Sequence, residues 1–333
     1  MTATTPPPVW FERPVLPELV ESVAARCTIL GPATVDDPFA GVGTTVAAVV
    51  GAAPFGETAM DRAPDLVAIA RTGIGYDAID VAAATRRGIA VCNTPDGPTI
   101  STAEHAVTLM LLVAKNVKAA ESALRTGTSV GYYSRHHGIE LDGKVLGLVG
   151  FGRIARHVAR IAGGLGMRVT TFDPYVPASA VPAGIDRADT LEALLASADV
   201  VSVHVPLTDE SRGLFGAAQF ASMKPGAVFL NTARGGLVDQ DALVGALEAG
   251  HLFGAGLDVT SPEPLPAGHP LLTRDDVVVT PHVASATADG KARIFRVAFE
   301  QAMAVVEGRR PEHVVNPEVW ERIASAPYAG VGK

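Results

Sequence analysis

The chain has 333 residues, 48% hydrophobic, 19% charged and 5% aromatic, with a formal net charge of -8. That length favours two domains, and the few aromatics leave their cores to Ala, Val, Leu and Ile. The acidic balance, without a basic cluster, argues against a nucleic-acid partner or an anionic membrane surface, and no uncharged apolar run reaches bilayer length.

The proline-rich start, Met1 to Pro8, has no apolar signal core. Cys27 and Cys92 lack metal-site spacing, so a reducing, cytoplasmic setting without structural disulfides is expected. A short strand is predicted at Val9-Trp10-Phe11, then a helix around Leu16 to Ala25 and strands at Val46 to Val50, Leu66 to Ile69 and Ile89 to Cys92. Turn-rich pieces such as Gly31-Pro32 separate them, which makes a small α/β unit. Thr94-Pro95-Asp96-Gly97-Pro98 breaks that unit. A long helix from about Ser101 to Thr126 should follow, with Ala106, Leu109, Met110, Val113 and Val117 at helical spacing. Ser101 to Glu104 reads as a capping box at its start.

Next comes the segment with the most chemical content. The apolar run from Val145 to Val149 leads into Gly150-Phe151-Gly152-Arg153-Ile154-Ala155, then a helical pattern, then a second apolar run ending at Asp173. Strand, glycine turn, helix, strand and acid, in that order, make a dinucleotide site. Gly150 permits the tight turn, Gly152 lets backbone approach a pyrophosphate, and Ala155 lets the helix sit close to the sheet. The helix N-terminus then offers unpaired N–H groups to the phosphates. Asp173 suits the adenosine ribose hydroxyls and repels a 2′-phosphate, which favours NAD over NADP. A lone glycine-rich turn would be weak evidence; the ordered context makes it specific.

Further strands are predicted at Val200 to Val203, Val228 to Leu230, Gly254 to Leu257 and Val277 to Val279, with helices between them including Ala242 to Ala249. A last helix, about Ala288 to Glu307, leads to a tail expected to return to the first domain. Three strand ends carry polar residues where ligands gather in parallel sheets. Arg234 precedes two glycines, and its planar guanidinium suits a carboxylate, although a surface arginine is as good a reading. Glu263 sits between prolines and alone reads more simply as an exposed loop acid. His282 follows Thr280-Pro281 and suits a general acid/base, although a structural histidine is commoner. Together the three form a plausible hydride-transfer site: His282 exchanges the proton, Glu263 holds the imidazole, and Arg234 orients the substrate carboxylate. The pair His136-His137 has no carboxylate or cysteine at ligand spacing, so no metal is expected.

With these motifs in place, the chain resembles the D-isomer-specific 2-hydroxyacid dehydrogenases from about Leu66 to Asn316. The matching segments are Arg71 to Asp77, Gly150 to Ala155, Asn231 to Asp239 and Pro281 to Ser285. The resemblance implies that Arg234, Glu263 and His282 are the catalytic three. It places Ile74 and Gly75 at the substrate carboxylate, and Arg153, Ile154, Asp173, Val205, Thr232, Asp258 and Ser285 at the cofactor with Gly150 and Gly152. It further implies an α/β fold of two Rossmann-like domains with parallel sheets flanking a cleft. Residues 1–98 with 293–333 would form the substrate domain and 99–292 the NAD-binding domain, in a homodimer built on the long helix.

The expected reaction interconverts a short 2-oxo acid and its D-2-hydroxy acid with NAD(H), as in glyoxylate or hydroxypyruvate reductases. Members that use 3-phosphoglycerate carry an arginine after the strand matching Val46 to Val50, where this chain has Val50-Gly51-Ala52-Ala53. Glu263, where formate-specific members have glutamine, argues against formate. Two alternatives are kept: 3-phosphoglycerate dehydrogenase, and an NAD(H)-sensing binding role as in the C-terminal-binding proteins that share the triad, although those proteins add long tails and here the ends are short.

Overall fold

The computed structural model describes residues 5–51 and 53–325. Backbone contacts divide the chain into two units: one runs to Pro98 and resumes at Thr287, and the other is Thr99–Ala286.

The first unit holds a five-stranded sheet of β1 (Pro8–Phe11), β2 (Thr28–Leu30), β3 (Ala47–Val50), β4 (Ala68–Arg71) and β5 (Ala90–Cys92) in the order β2-β1-β3-β4-β5. Every pairing in it is parallel. A parallel sheet is covered on both faces, so its strands read as unbroken apolar runs. All four residues of β3 are buried. One face packs against the helix Ala288–Val306, whose Phe295, Phe299, Met303 and Val306 share a core with Val9, Phe11, Val49 and Ala68. Phe11 and Phe295 stack with centroids 5.5 Å apart. The tail then returns to this unit, as expected. Buried Asn316 accepts from the Val91 N–H at 2.8 Å and donates to the Ile89 carbonyl at 3.0 Å. The ends of the predicted proline-rich start and of the tail (residues 1–4 and 326–333) lie outside the described residues.

The second unit is a seven-stranded parallel sheet of β6 (Val145–Val149), β7 (Arg168–Phe172), β8 (Ile185–Arg187), β9 (Val200–Val203), β10 (Ala227–Asn231), β11 (Leu252–Leu257) and β12 (Val277–Val279). Its order is β12-β11-β10-β9-β6-β7-β8. The chain starts in the middle at β6, runs outward to β8, then crosses back to β9 and runs out the other way. The crevice where that direction reverses, beyond the carboxyl ends of β6 and β9, is where such sheets hold ligands. In the first unit the corresponding reversal lies between β1 and β3.

Four expectations need correction. The chain re-enters the first unit at Thr287 rather than 293, because 288–306 is one unbroken helix with Thr287 as its cap. The long helix is two, Thr99–Ala114 and Val117–Arg125, broken at Asn116 with φ 49°. Asparagine is among the few residues that enter the left-handed region at low cost. Ser101 lies inside the first of these helices, so Ser101 to Glu104 is not its cap. The edge strands β2 and β8 were not expected; each is three residues long with no fully buried residue.

Candidate active site

The glycine turn follows β6 as a nucleotide site requires. Gly150 has φ +89°, and a Cβ there would stand 2.8 Å from the His204 carbonyl, so only glycine fits. Gly152 caps the helix Arg153–Gly164, and the space where its Cβ would point is open. Ala155 is fully buried against the sheet, and Ile154 packs on the same core. Asp173, one residue past β7, accepts from the Phe151 N–H at 2.8 Å and from the Tyr175 N–H at 2.9 Å. It therefore braces the turn itself, a role its position after β7 did not disclose. Val205 follows β9 and packs on the core beside the turn. Thr232, one residue beyond β10, is 8% exposed, and its hydroxyl is buried without a hydrogen-bond partner. Buried hydroxyls are normally paired, so an orphan at the carboxyl end of β10, on the same edge of the sheet as the glycine turn after β6, fits a bound dinucleotide.

The end of β11 holds the loop that carries the histidine. Asp258, 1% exposed, accepts at Oδ1 from the Thr280 hydroxyl (2.6 Å) and the Val283 N–H (2.9 Å), and at Oδ2 from the Ala284 N–H (2.8 Å). His105, from the helix Thr99–Ala114, puts Nε2 2.9 Å from the Thr280 hydroxyl and 3.4 Å from Asp258 Oδ1. Burial pushes the Asp258 carboxyl up, but the bonds from His105, Thr280, Val283 and Ala284 outweigh it and leave the group below its ordinary value. The His282 N–H donates to the Asp258 carbonyl at 2.8 Å, and His282 adopts φ 53°. A non-glycine residue persists in that region only where its surroundings over-determine it. His105 and Thr280 were not among the expected site residues; their contribution depends on contacts far apart in sequence.

The expected pairing of acid and histidine is present. His282 Nδ1 lies 2.5 Å from Glu263 Oε1, with both side chains about two-fifths exposed. A carboxylate can only accept, so Nδ1 carries the proton of this bond and Nε2 is the nitrogen for a substrate. A cavity of about 470 Å³ opens beside the pair, lined by Asp258, Thr260, Glu263, Leu265, Thr280 and Pro281. Ser285, also expected at the cofactor, follows the held loop and is half-buried.

Arg234 leaves β10 in extended conformation and is half-buried. Asn231 holds its backbone: Nδ2 donates to the Arg234 carbonyl at 2.9 Å, and Oδ1 accepts from the Ala233 N–H at 3.0 Å. Gly235 must be glycine, because a Cβ would lie 2.0 Å from the Thr260 carbonyl. That contact ties the arginine turn to the loop leading to Glu263. Ile74 and Gly75 belong to the first unit, in the turn after β4, where the Ile74 carbonyl accepts from Asn93 Nδ2 at 2.7 Å.

Residues 107–284, within the second unit, match the family described as D-isomer specific 2-hydroxyacid dehydrogenase, NAD binding domain. The chain is 40% identical over 281 residues to a glyoxylate reductase of Korarchaeum cryptofilum, covering 80% of this chain and 81% of that one. It is 41% identical over 258 residues to a D-3-phosphoglycerate dehydrogenase of Methanocaldococcus jannaschii, covering 77% of this chain and 49% of that one. The chain thus spans about half the length of the phosphoglycerate dehydrogenases it matches. The crystal structure of the TT0316 protein from Thermus thermophilus superposes with a TM-score of 0.83 at 39% identity, over 92% of this chain and 99% of that one. The chain belongs to the D-isomer specific 2-hydroxyacid dehydrogenase family, whose cofactor is NAD(H).

Proposed function

We propose that the protein reduces short 2-oxo acids of the glyoxylate and hydroxypyruvate type to D-2-hydroxy acids, and runs the reverse oxidation. The observation that carries this reading is the 2.5 Å pair of Glu263 and His282, on loops held at the ends of β11 and β12 in the NAD-binding unit. When bound, NADH would supply the hydride for the carbonyl carbon. His282 delivers a proton from Nε2 to the carbonyl oxygen and takes it back in the oxidation. Glu263 holds the ring by Nδ1 and stabilises the imidazolium. Arg234 binds the carboxylate and polarises the carbonyl. The residues that would hold the cofactor are Gly150, Gly152, Arg153, Ile154, Asp173, Val205, Thr232, Asp258 and Ser285. In the first unit, the substrate domain of this reading, Ile74 and Gly75 offer backbone N–H groups to the carboxylate.

NADH oxidation against a panel of 2-oxo acids, with chiral analysis of the product, tests the reading. Turnover of none of them would favour a nucleotide-sensing binding role, and an L product would overturn the stereochemical assignment. We further infer a homodimer. Leu124, Val130 and Tyr133 project, largely exposed, from the segment after Asn116, which fits a surface covered by a second copy. Light scattering at micromolar concentration checks it, and a monomer mass would count against it.

No helix among the described residues is long and apolar enough to cross a membrane.

A further inference from the structure

The loop that carries Glu263 leaves β11 through Asp258 and runs exposed from Ser261 to Pro264. A side chain from elsewhere in the same unit holds its first exposed residue. Gln240 Nε2 donates to the Ser261 carbonyl at 2.6 Å, and Gln240 Oε1 accepts from the Ser261 N–H at 2.9 Å. An N–H only donates and a carbonyl only accepts, so the two bonds also fix which way the amide faces. The clamp has a firm base. Gln240 opens the helix Gln240–Glu248, and Asp239 caps that helix, its Oδ1 accepting from the Asp241 and Ala242 N–H groups at 3.1 Å. Leu243 and Leu247 anchor the same helix in the core of the unit. Arg234 lies just upstream in this stretch, and its neighbour Gly235 already presses on the Thr260 carbonyl.

Between Ser261 and Glu263 the chain has little freedom. Pro262 and Pro264 have fixed φ, and a residue before proline is kept out of the helical region, which restricts Ser261 and Glu263 themselves. The Thr260 hydroxyl donates to the Pro262 carbonyl at 2.9 Å and stiffens the stretch further. A hold on Ser261 is therefore carried through to Glu263. We propose that Gln240 is a positioning residue: it sets Glu263 Oε1 against His282 Nδ1 and ties the loop of the acid to the segment of Arg234. The inference rests on the 2-oxo acid reading above and adds to that site a side chain that acts only through Glu263. A clamp that merely steadied an exposed loop would change stability, but not where the His282 ring carries its proton.

Gln240→Met keeps the length of the side chain and removes both bonds, with NADH binding by fluorescence as the check on folding. Its kcat for 2-oxo acid reduction should fall about ten- to a hundredfold, the scale of a misplacement of about an ångström, while NADH affinity stays near wild type. In a Glu263→Ala background no acid remains to be positioned, so the same substitution should change kcat by less than about twofold. Nitrogen NMR of the His282 ring, assigned against His282→Ala, gives a second readout that needs no substrate. At about pH 9, above the ordinary imidazole range, Glu263 should keep the wild-type proton on Nδ1. Gln240→Met should move part of it to Nε2, the nitrogen that free histidine favours, as Glu263→Ala does. An unchanged ring in Gln240→Met, or a kcat loss just as large in the Glu263→Ala background, overturns the role of Gln240. Turnover of no 2-oxo acid, with the ring shifted as expected, overturns the reductase reading and supports the positioning.

Discussion

Asp258 holds His282 in place twice over: its carbonyl accepts the His282 N–H, and its carboxylate takes Thr280 on one side of the histidine and Val283 and Ala284 on the other. The left-handed conformation of His282 is thus imposed from both flanks. Thr280→Val keeps the shape but removes the hydroxyl, leaving His105 and Asp258 each short of a partner. Loss of a buried bond to a charged group costs about 1.5–3 kcal/mol, and a unit of this size loses roughly 2–4 °C of Tm per kcal/mol. A lower Tm, with kcat falling more than NADH affinity, is expected from calorimetry and steady-state kinetics. Wild-type kcat in a correctly folded Thr280→Val protein would mean that the bond does not position the histidine.

His282→Ala should reduce kcat by roughly 10²–10⁴-fold while NADH binding stays near wild type. Glu263→Gln removes the carboxylate that holds the ring by Nδ1, so kcat should fall while NADH binding stays near wild type. Steady-state rates beside an NADH fluorescence titration decide it. Wild-type kcat in Glu263→Gln would remove the acid from the mechanism.

Asp173 should make NADH the better cofactor, since a 2′-phosphate would face a carboxylate. Because that carboxylate also braces Phe151 and Tyr175, Asp173→Asn is the milder probe. It keeps one acceptor oxygen and should narrow the NADH preference while weakening both cofactors somewhat. Equal kcat/KM for NADH and NADPH in the wild type would refute the assignment.

Burial pushes the His204 imidazole down to about 4. Once unfolded, the same ring takes up its proton near 6.5, so the unfolded chain binds more protons between those values. The stability this group contributes is complete above about 6.5 and falls as pH drops toward 4, by about 2 kcal/mol at pH 5. Asp258, held low, adds its own loss only below the ordinary carboxylate range. Urea midpoints at pH 7 and pH 5 should therefore fall further apart in the wild type than in His204→Gln. If the two proteins lose the same amount, His204 is not the group responsible.

Much of the second unit was legible because its signals are local. β6, the turn at Gly150 and the helix behind it are one continuous stretch, and Val200–Val203 and Val277–Val279 match their predicted bounds. The break at Asn116 escaped because the apolar spacing continues across it, with neither proline nor glycine to mark it. β2 and β8 escaped because an edge strand that buries little carries no periodic pattern. The functional side chains were visible as residue types after strands, but their braces were not. His105 meets Thr280 across 175 positions and Gln240 meets Ser261 across 21, and no spacing rule reaches so far.

The stacking of Phe11 on Phe295 has a consequence for synthesis. The second unit is a single stretch, Thr99–Ala286, and its contacts are all available once that stretch has left the ribosome. The first unit emerges earlier, yet the helix covering its sheet is made after everything between. Domains generally fold as units in order of emergence, so here the usual order is reversed. The amino-terminal strands wait with one apolar face uncovered, and closing the long loop to Phe295 is entropically easier once the intervening segment has condensed. A nascent chain stalled short of residue 288 would carry a finished nucleotide fold behind an open, aggregation-prone sheet, which makes the helix Ala288–Val306 the point at which synthesis becomes safe.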